Sequence, residues 1–185
     1  DLNKYTPDIV AYKSEYNIYF KCPIGKHQSQ LVTLKYITDM DTSCECKECY
    51  LEENSFGKWC EENNPSILDL WDYEKNQISP YRILRSSNKK YYFKCARHLH
   101  ESHLQIICNI TLEGAEIKCA QCNSIGQWIV DNYGLDFLKL FWDDTLNGKS
   151  PFDTSCYSHI TIYVRCLNDS SHPSYPTQPQ RVVKG

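Results

Sequence analysis

Cys22, His27, Cys46 and Cys49 follow the spacing C-x4-H-x18-C-x2-C, and Cys95, His100, Cys119 and Cys122 follow it again. A C-x2-C turn can present two sulfurs to one atom, and a C-x4-H turn can supply a sulfur and an imidazole nitrogen to the same atom. Four such borderline-to-soft donors drawn from two short turns suit a tetrahedral zinc ion. The spacing therefore predicts two structural zinc sites, although iron is not distinguished from zinc by ligand type alone. A disulfide framework would use the cysteines but leave His27 and His100 without a role. A thioredoxin-type redox C-x2-C is disfavoured, because no βαβ pattern frames either pair.

The second site has three histidines near Cys95. His27-Gln28-Ser29, His100-Glu101-Ser102 and His172-Pro173-Ser174 share the pattern H-x-S, which selects His100 and assigns His98 and His103 to the surface. Cys166 and His172 form a C-x5-H half of a third site, with no C-x2-C following before Gly185. A third site rebuilt from Cys156, His159, Cys166 and His172 is the alternative. The repeat register speaks against it, since it sets Cys156 opposite Arg85 and His159 opposite Asn88. Cys44, Cys60 and Cys108 have no cysteine counterparts and read as small buried hydrophobes.

The register extends well beyond the ligands. Phe20-Lys21-Cys22, Phe93-Lys94-Cys95 and Val164-Arg165-Cys166 align, as do Thr6-Pro7, Ser79-Pro80 and Ser150-Pro151. Ser55-Phe56-Gly57-Lys58-Trp59 matches Ser124-Ile125-Gly126-Gln127-Trp128, and Leu70-Trp71-Asp72 matches Phe141-Trp142-Asp143. Internal repeats of this kind define the organisation before any other feature does. They divide the chain into units at 1–65, 66–134 and 135–185, the third incomplete. The expectation is an array running past both ends.

The elements that must hold these turns are short. Residues 16–22 and 90–95 are aromatic and β-rich, predicting strands that enter the first metal turn, and 31–37 and 104–110 predict the returning strands. A helix should follow the C-x2-C: Ser124 is a natural N-cap, and Ile125, Trp128, Ile129 and Tyr133 share one helical face. Phe56, Trp59 and Cys60 repeat the spacing, and Gly134 suits the helix stop. Second helices are predicted at 66–71 and 135–142. Trp59, Trp71, Trp128 and Trp142 read as core. The fold class is small α+β, metal-stabilised, each unit a β-hairpin plus short helices in the order of a treble clef, with a zinc ribbon as competitor. Units of this size bury little core, so metal should supply much of their folding energy.

The pattern resembles the zinc-ribbon and treble-clef zinc finger repeat family of bacteria, phages and plants. The resemblance rests on Trp71-Asp72, Ser79-Pro80, Asn88-Lys89-Lys90, Phe93-Lys94-Cys95, His100, Cys119 and Cys122, and extends in register over nearly the whole chain. Two departures stand out. Glu116-Ile117-Lys118-Cys119 replaces the family's Gly-x-x-Cys-Pro, and the third unit lacks its C-x2-C. Family members fused to nuclease domains imply nucleic-acid handling.

Composition narrows the partners. The chain has 11 Cys, 14 Tyr and 4 Trp and a formal charge of -3, which gives no global support for nucleic-acid binding. With mean hydropathy of -0.56 and no apolar run long enough for a bilayer, no membrane role is expected. Local support for DNA or RNA comes from Arg82, Arg85, Lys89, Lys90, Tyr91 and Lys94, where cations interleave with aromatics. The alternative is a protein-interaction or scaffolding array. Neither a small-molecule substrate nor catalysis is expected, since four protein ligands leave zinc no open position. Thiolate ligands imply the cytoplasm or another reducing compartment.

Overall fold

The computed structural model describes residues 2–11, 14–35, 46–112 and 116–184. Three antiparallel hairpins recur along these segments. Strands β1 (Asn17–Phe20) and β2 (Gln30–Thr33) pair with Phe20 opposite Gln30. Strands β3 (Lys90–Phe93) and β4 (His103–Ile106) pair with Phe93 opposite His103, and β5 (Ile162–Val164) and β6 (Tyr175–Thr177) with Val164 opposite Tyr175. A two-stranded ribbon is marginal by itself in water, so each needs helices to bury one face.

The helices come in the expected places, with differences of extent. Helix α1 (Lys47–Asn54) follows Cys46 directly, α2 (Phe56–Asn63) is capped by Ser55, and α3 (Ser66–Asp69) and α4 (Tyr73–Asn76) are single turns. The expected return strand at 104–110 is cut short: it ends at Ile106, and Ile107–Ile110 form α5. Ile107 and Ile110 lie three apart, so one helical turn buries both side chains where an extended strand would separate them. Residues 36 and 37 of the other return strand, and Cys44, lie outside the described residues. Helix α6 (Ile125–Tyr133) starts at its Ser124 cap, whose Oγ accepts from Gln127 N at 3.0 Å, and stops at Gly134 with φ of 90°. Helices α7 (Leu135–Phe141), α8 (Asp144–Asn147) and α9 (Pro179–Lys184) complete the described chain.

Two buried clusters form the core. The first gathers Phe56 and Cys60 of α2 with Ile67, Trp71, Ile83, Phe93, Ile107 and Ile110. The second gathers Ile125 and Ile129 of α6 with Leu138, Phe141, Trp142, Cys156, Ile162 and Val164. Both clusters cross the boundaries drawn from the sequence register, because the helix after one C-x2-C packs under the following hairpin. The same backbone bonds recur at matching positions: Phe56 N to Ile83 O and Ile125 N to Thr154 O are both 2.7 Å. Lys94 N to Leu70 O and Arg165 N to Phe141 O are also 2.7 Å each. Trp71 and Trp142 are buried, and Trp59 and Trp128 are half-buried against the two clusters.

The Ser-x-Gly-x-Trp pattern now has a packing reason. A Cβ on Gly126 would lie 2.9 Å from the backbone of Pro151 and Phe152, and one on Gly57 would lie 2.6 Å from the Tyr81 ring. The Ser-Pro turn of each following segment sits directly on the preceding helix, and at Gly126, where the turn's backbone makes the contact, only glycine leaves room for it.

Candidate metal centres

Each centre is built from the mouth of one hairpin and the start of one helix. Cys22 and His27 lie in the β1–β2 connection, Cys46 caps α1, and Cys49 stands in its first turn. Cys95 and His100 lie in the β3–β4 connection, while Cys119 and Cys122 flank the start of the 3-10 turn Gln121–Asn123. The ligand atoms of Cys22, His27, Cys46 and Cys49 all lie within 4.8 Å of one another, as do those of Cys95, His100, Cys119 and Cys122.

The internal distances test whether zinc fits. Zn–S near 2.3 Å and Zn–N near 2.0–2.1 Å in a tetrahedron imply S···S edges of about 3.8 Å and S···N edges of about 3.6 Å. In the first centre Cys22–Cys49 is 3.5 Å, and His27 Nδ1 is 3.8, 3.5 and 3.3 Å from Cys22, Cys46 and Cys49. In the second, Cys95–Cys122 is 3.4 Å, and His100 Nδ1 is 3.7, 3.6 and 3.4 Å from Cys95, Cys119 and Cys122. These are tetrahedral edges, and they are far longer than a disulfide bond. Both Cys3His sites fit a structural zinc ion with all four positions filled by protein.

The electrostatics agree. Burial pushes the Cys22 thiol up, but the His27 backbone N–H and contacts with Cys49 and His27 outweigh it and bring it down to about 6. Cys95 behaves alike, with the Leu99 backbone as the chief opposing donor, and also falls to about 6. Cys49 and Cys122 are pushed up to about 12, first by burial and then by the neighbouring sulfurs. Thiolates this close repel one another, and a divalent cation among them removes the conflict.

No group of three or more ligands includes Cys166 or His172 among the described residues. Both line a hollow of about 370 Å³, where exposed His172 lies 3.4 Å from Asp169. The rebuilt alternative is not assembled: Cys156 is buried in the second cluster and His159 contacts Gln180 at 2.8 Å. Cys60 is fully buried, and burial pushes its thiol up to about 12, as suits a small hydrophobe. His98 is exposed, but His103 corrects the surface assignment. Its ring sits on β4 with both nitrogens buried against chain that includes the Lys118 backbone, and burial holds it below the ordinary imidazole range.

Sequence reasoning missed what locks the metal loops in place. The carboxylate of Asp72 caps α4 and accepts from Ser102, and Asp143 caps α8 and accepts from Ser174 Oγ at 2.5 Å. The Trp-Asp and H-x-S patterns are therefore two halves of one contact, and their joint recurrence was the available signal. Glu52 was missed as well: its Oε1 lies 3.1 Å from His27 Nε2.

The cation-rich stretch is partly consumed by the fold. Arg82 makes a two-pronged contact with Glu48 at 2.5 and 3.3 Å, and the Tyr91 ring packs 5.3 Å from Trp71. Lys94 is exposed and lies in the field of Asp72. Arg85, Lys89 and Lys90 are exposed, with no ion pair among the described residues. No helix among those residues is long and apolar enough to cross a membrane.

Hairpin, metal knuckle and helix follow one another in the order that a treble-clef zinc finger has. Residues 67–125, which contain the second centre, match a family model described as "Probable Treble clef zinc finger domain". No curated protein and no solved structure matches the chain.

Proposed function

We propose that the chain is a non-catalytic tandem array of treble-clef units, stapled by two zinc ions, that serves as a protein-docking scaffold in a reducing compartment. The observation that carries this reading is an open apolar groove of about 340 Å³ on the second cluster. Tyr133, Phe137, Phe141, Val164, Tyr175 and Val182 line it, and Tyr133 is 58% exposed. Exposed aromatic surface of this kind is characteristic of protein contacts. Two of the arginines that could serve phosphates are instead engaged by carboxylates, in Arg82–Glu48 and Arg97–Asp131. A partner that co-purifies with the chain should be lost on Phe137→Glu while both metals stay bound.

Nucleic-acid binding is the second reading, favoured by exposed Arg85, Lys89 and Lys90. Titration of labelled single-stranded and duplex DNA and RNA decides between them, beginning at roughly 50 mM salt where counterion release favours binding most. The scaffold reading expects no salt-sensitive binding. Binding that weakens steeply with salt and disappears when the three cations become Glu would reverse the order.

A further inference from the structure

The two centres share ligand type and spacing but differ in what stands behind the histidine. Cys49 is followed by five residues before the Ser55 cap, whereas Cys122 is followed only by Asn123 before the Ser124 cap. The additional residues extend α1 by more than a turn. Glu52 lies three positions after Cys49, one turn on along the same helix face. Its Oε2 is fixed by Lys26 Nζ at 2.6 Å, and its Oε1 accepts from His27 Nε2 at 3.1 Å, since Nδ1 faces the three sulfurs. At the second centre no hydrogen bond holds His100 Nε2 among the described residues, and the ring faces Phe152 at 6.3 Å. Asp131, a carboxylate close enough to feel His100, gives both its oxygens to Arg97 at 2.8 Å, and one of them also to Gln127.

We propose that Glu52 is a positioning residue that makes the first centre the tighter and slower to release of the two, leaving the second as the exchangeable metal. The inference rests on both tetrads being zinc sites. A carboxylate on the distal imidazole nitrogen fixes the tautomer and ring plane and increases the donor strength of the coordinating nitrogen, effects worth tenfold to hundredfold in metal affinity. The second centre has the same four donors and lacks this support, so it serves as an internal control.

The test is metal release from the full chain into a chromogenic chelator, with stoichiometry checked first by native mass spectrometry. Two metals per chain and two release phases separated roughly ten- to hundredfold are expected. Glu52→Gln should collapse the slow phase towards the fast one, Glu52→Asp should restore part of it, and Lys26→Met should shift it less than Glu52→Gln does. Cobalt substitution supplies a second readout: Glu52→Gln should move the absorption of one ion and leave the other unchanged. Fewer than two metals bound by the wild type would overturn the zinc reading itself. Two metals leaving in a single phase, or a slow phase unaltered by Glu52→Gln, would overturn the role of Glu52. If Glu52→Gln fails to fold, a cobalt spectrum of Glu52→Asp identical to wild type at both ions overturns it equally.

Discussion

The hairpin around Phe93 and the hairpin around Val164 are built on the same frame, and among the described residues only the first carries a complete metal tetrad. Both bridge to a buried Trp, Trp71 to Phe93 and Trp142 to Val164. In both, an Asp caps a short helix and accepts from the Ser of H-x-S. The C-terminal region reaches this arrangement with Cys166 and His172 outside any tetrad among the described residues. Hydrophobic burial and capping thus recur in the same form at both hairpins. The polar detail differs. Trp71 Nε1 donates to Ile78 O at 3.0 Å, whereas Trp142 Nε1 and Thr154 Oγ1 are buried without partners among the described residues.

The largest difference between the regions should appear on metal loss. Structural zinc contributes apparent binding energies of about 10–16 kcal/mol in finger peptides, more than any single packing contact. Cys119→Ser should remove one of the two metals and strip hydrogen-exchange protection from the loops of Cys95–His100 and Cys119–Cys122. Amides of β5, β6 and α7 should stay protected. Collapse of the second cluster together with the first would break the claim that the second cluster stands without the metal of the second centre.

Next in size is the helix-to-turn contact. Gly126→Ala would drive a methyl group into backbone atoms of Pro151 and Phe152, which cannot move without shifting the turn. Overpacking of this kind costs about 1–3 kcal/mol. Gly57→Ala meets a Tyr81 ring, whose hydroxyl reaches exposed Glu61 and which can swing aside, so its cost should be smaller. Urea midpoints of the two variants measure the difference, and equal losses would refute this distinction.

Much of this was legible in the sequence, and what escaped shares one physical origin. The eight tetrad residues were readable because metal geometry fixes ligand spacing within short turns, and Ser55, Ser124 and Gly134 because capping is local. Local signals could not show that Ile107–Ile110 coil into α5, since an apolar run of that length fits strand or helix until the core selects one. His103 was misplaced because its burial depends on chain arriving from elsewhere, including the Lys118 backbone. Glu52 was hidden inside the spacing difference between Cys49 and Ser55, whose meaning emerges only when those residues continue as helix.

Thr154 offers a change in the stabilising direction. It occupies the place that Ile83 holds in the first cluster, as the bonds Phe56 N to Ile83 O and Ile125 N to Thr154 O show. Ile83 is buried and apolar, while Thr154 buries a hydroxyl without a partner among the described residues. An unsatisfied buried polar group costs about 1–3 kcal/mol, and replacement by an apolar group of the same shape removes that cost. Thr154→Val should raise the thermal midpoint of the C-terminal region, by a gain on the order of 1 kcal/mol after the unfolded state is allowed for. A lower midpoint would mean that the hydroxyl has a partner in solution.

The smallest effect expected is one of pH, and the C-terminal region is the place to measure it because no complete tetrad lies among its described residues. Asp143 is held below the ordinary carboxyl range, first by the Ser174 hydroxyl, then by the Leu146 backbone N–H, the Arg165 charge and the Thr145 N–H. A depressed folded pKa means that the carboxylate stabilises the fold above the unfolded value of about 3.9, and that this contribution is lost as pH falls through the folded value. Asp143→Asn should therefore lower the thermal midpoint of this region at neutral pH. The gap from wild type should narrow as pH drops below about 4, where the unfolded carboxyl begins to take up its proton. A gap that stays constant down to roughly pH 2 would show that Asp143 acts through its shape as a helix cap and not through its charge.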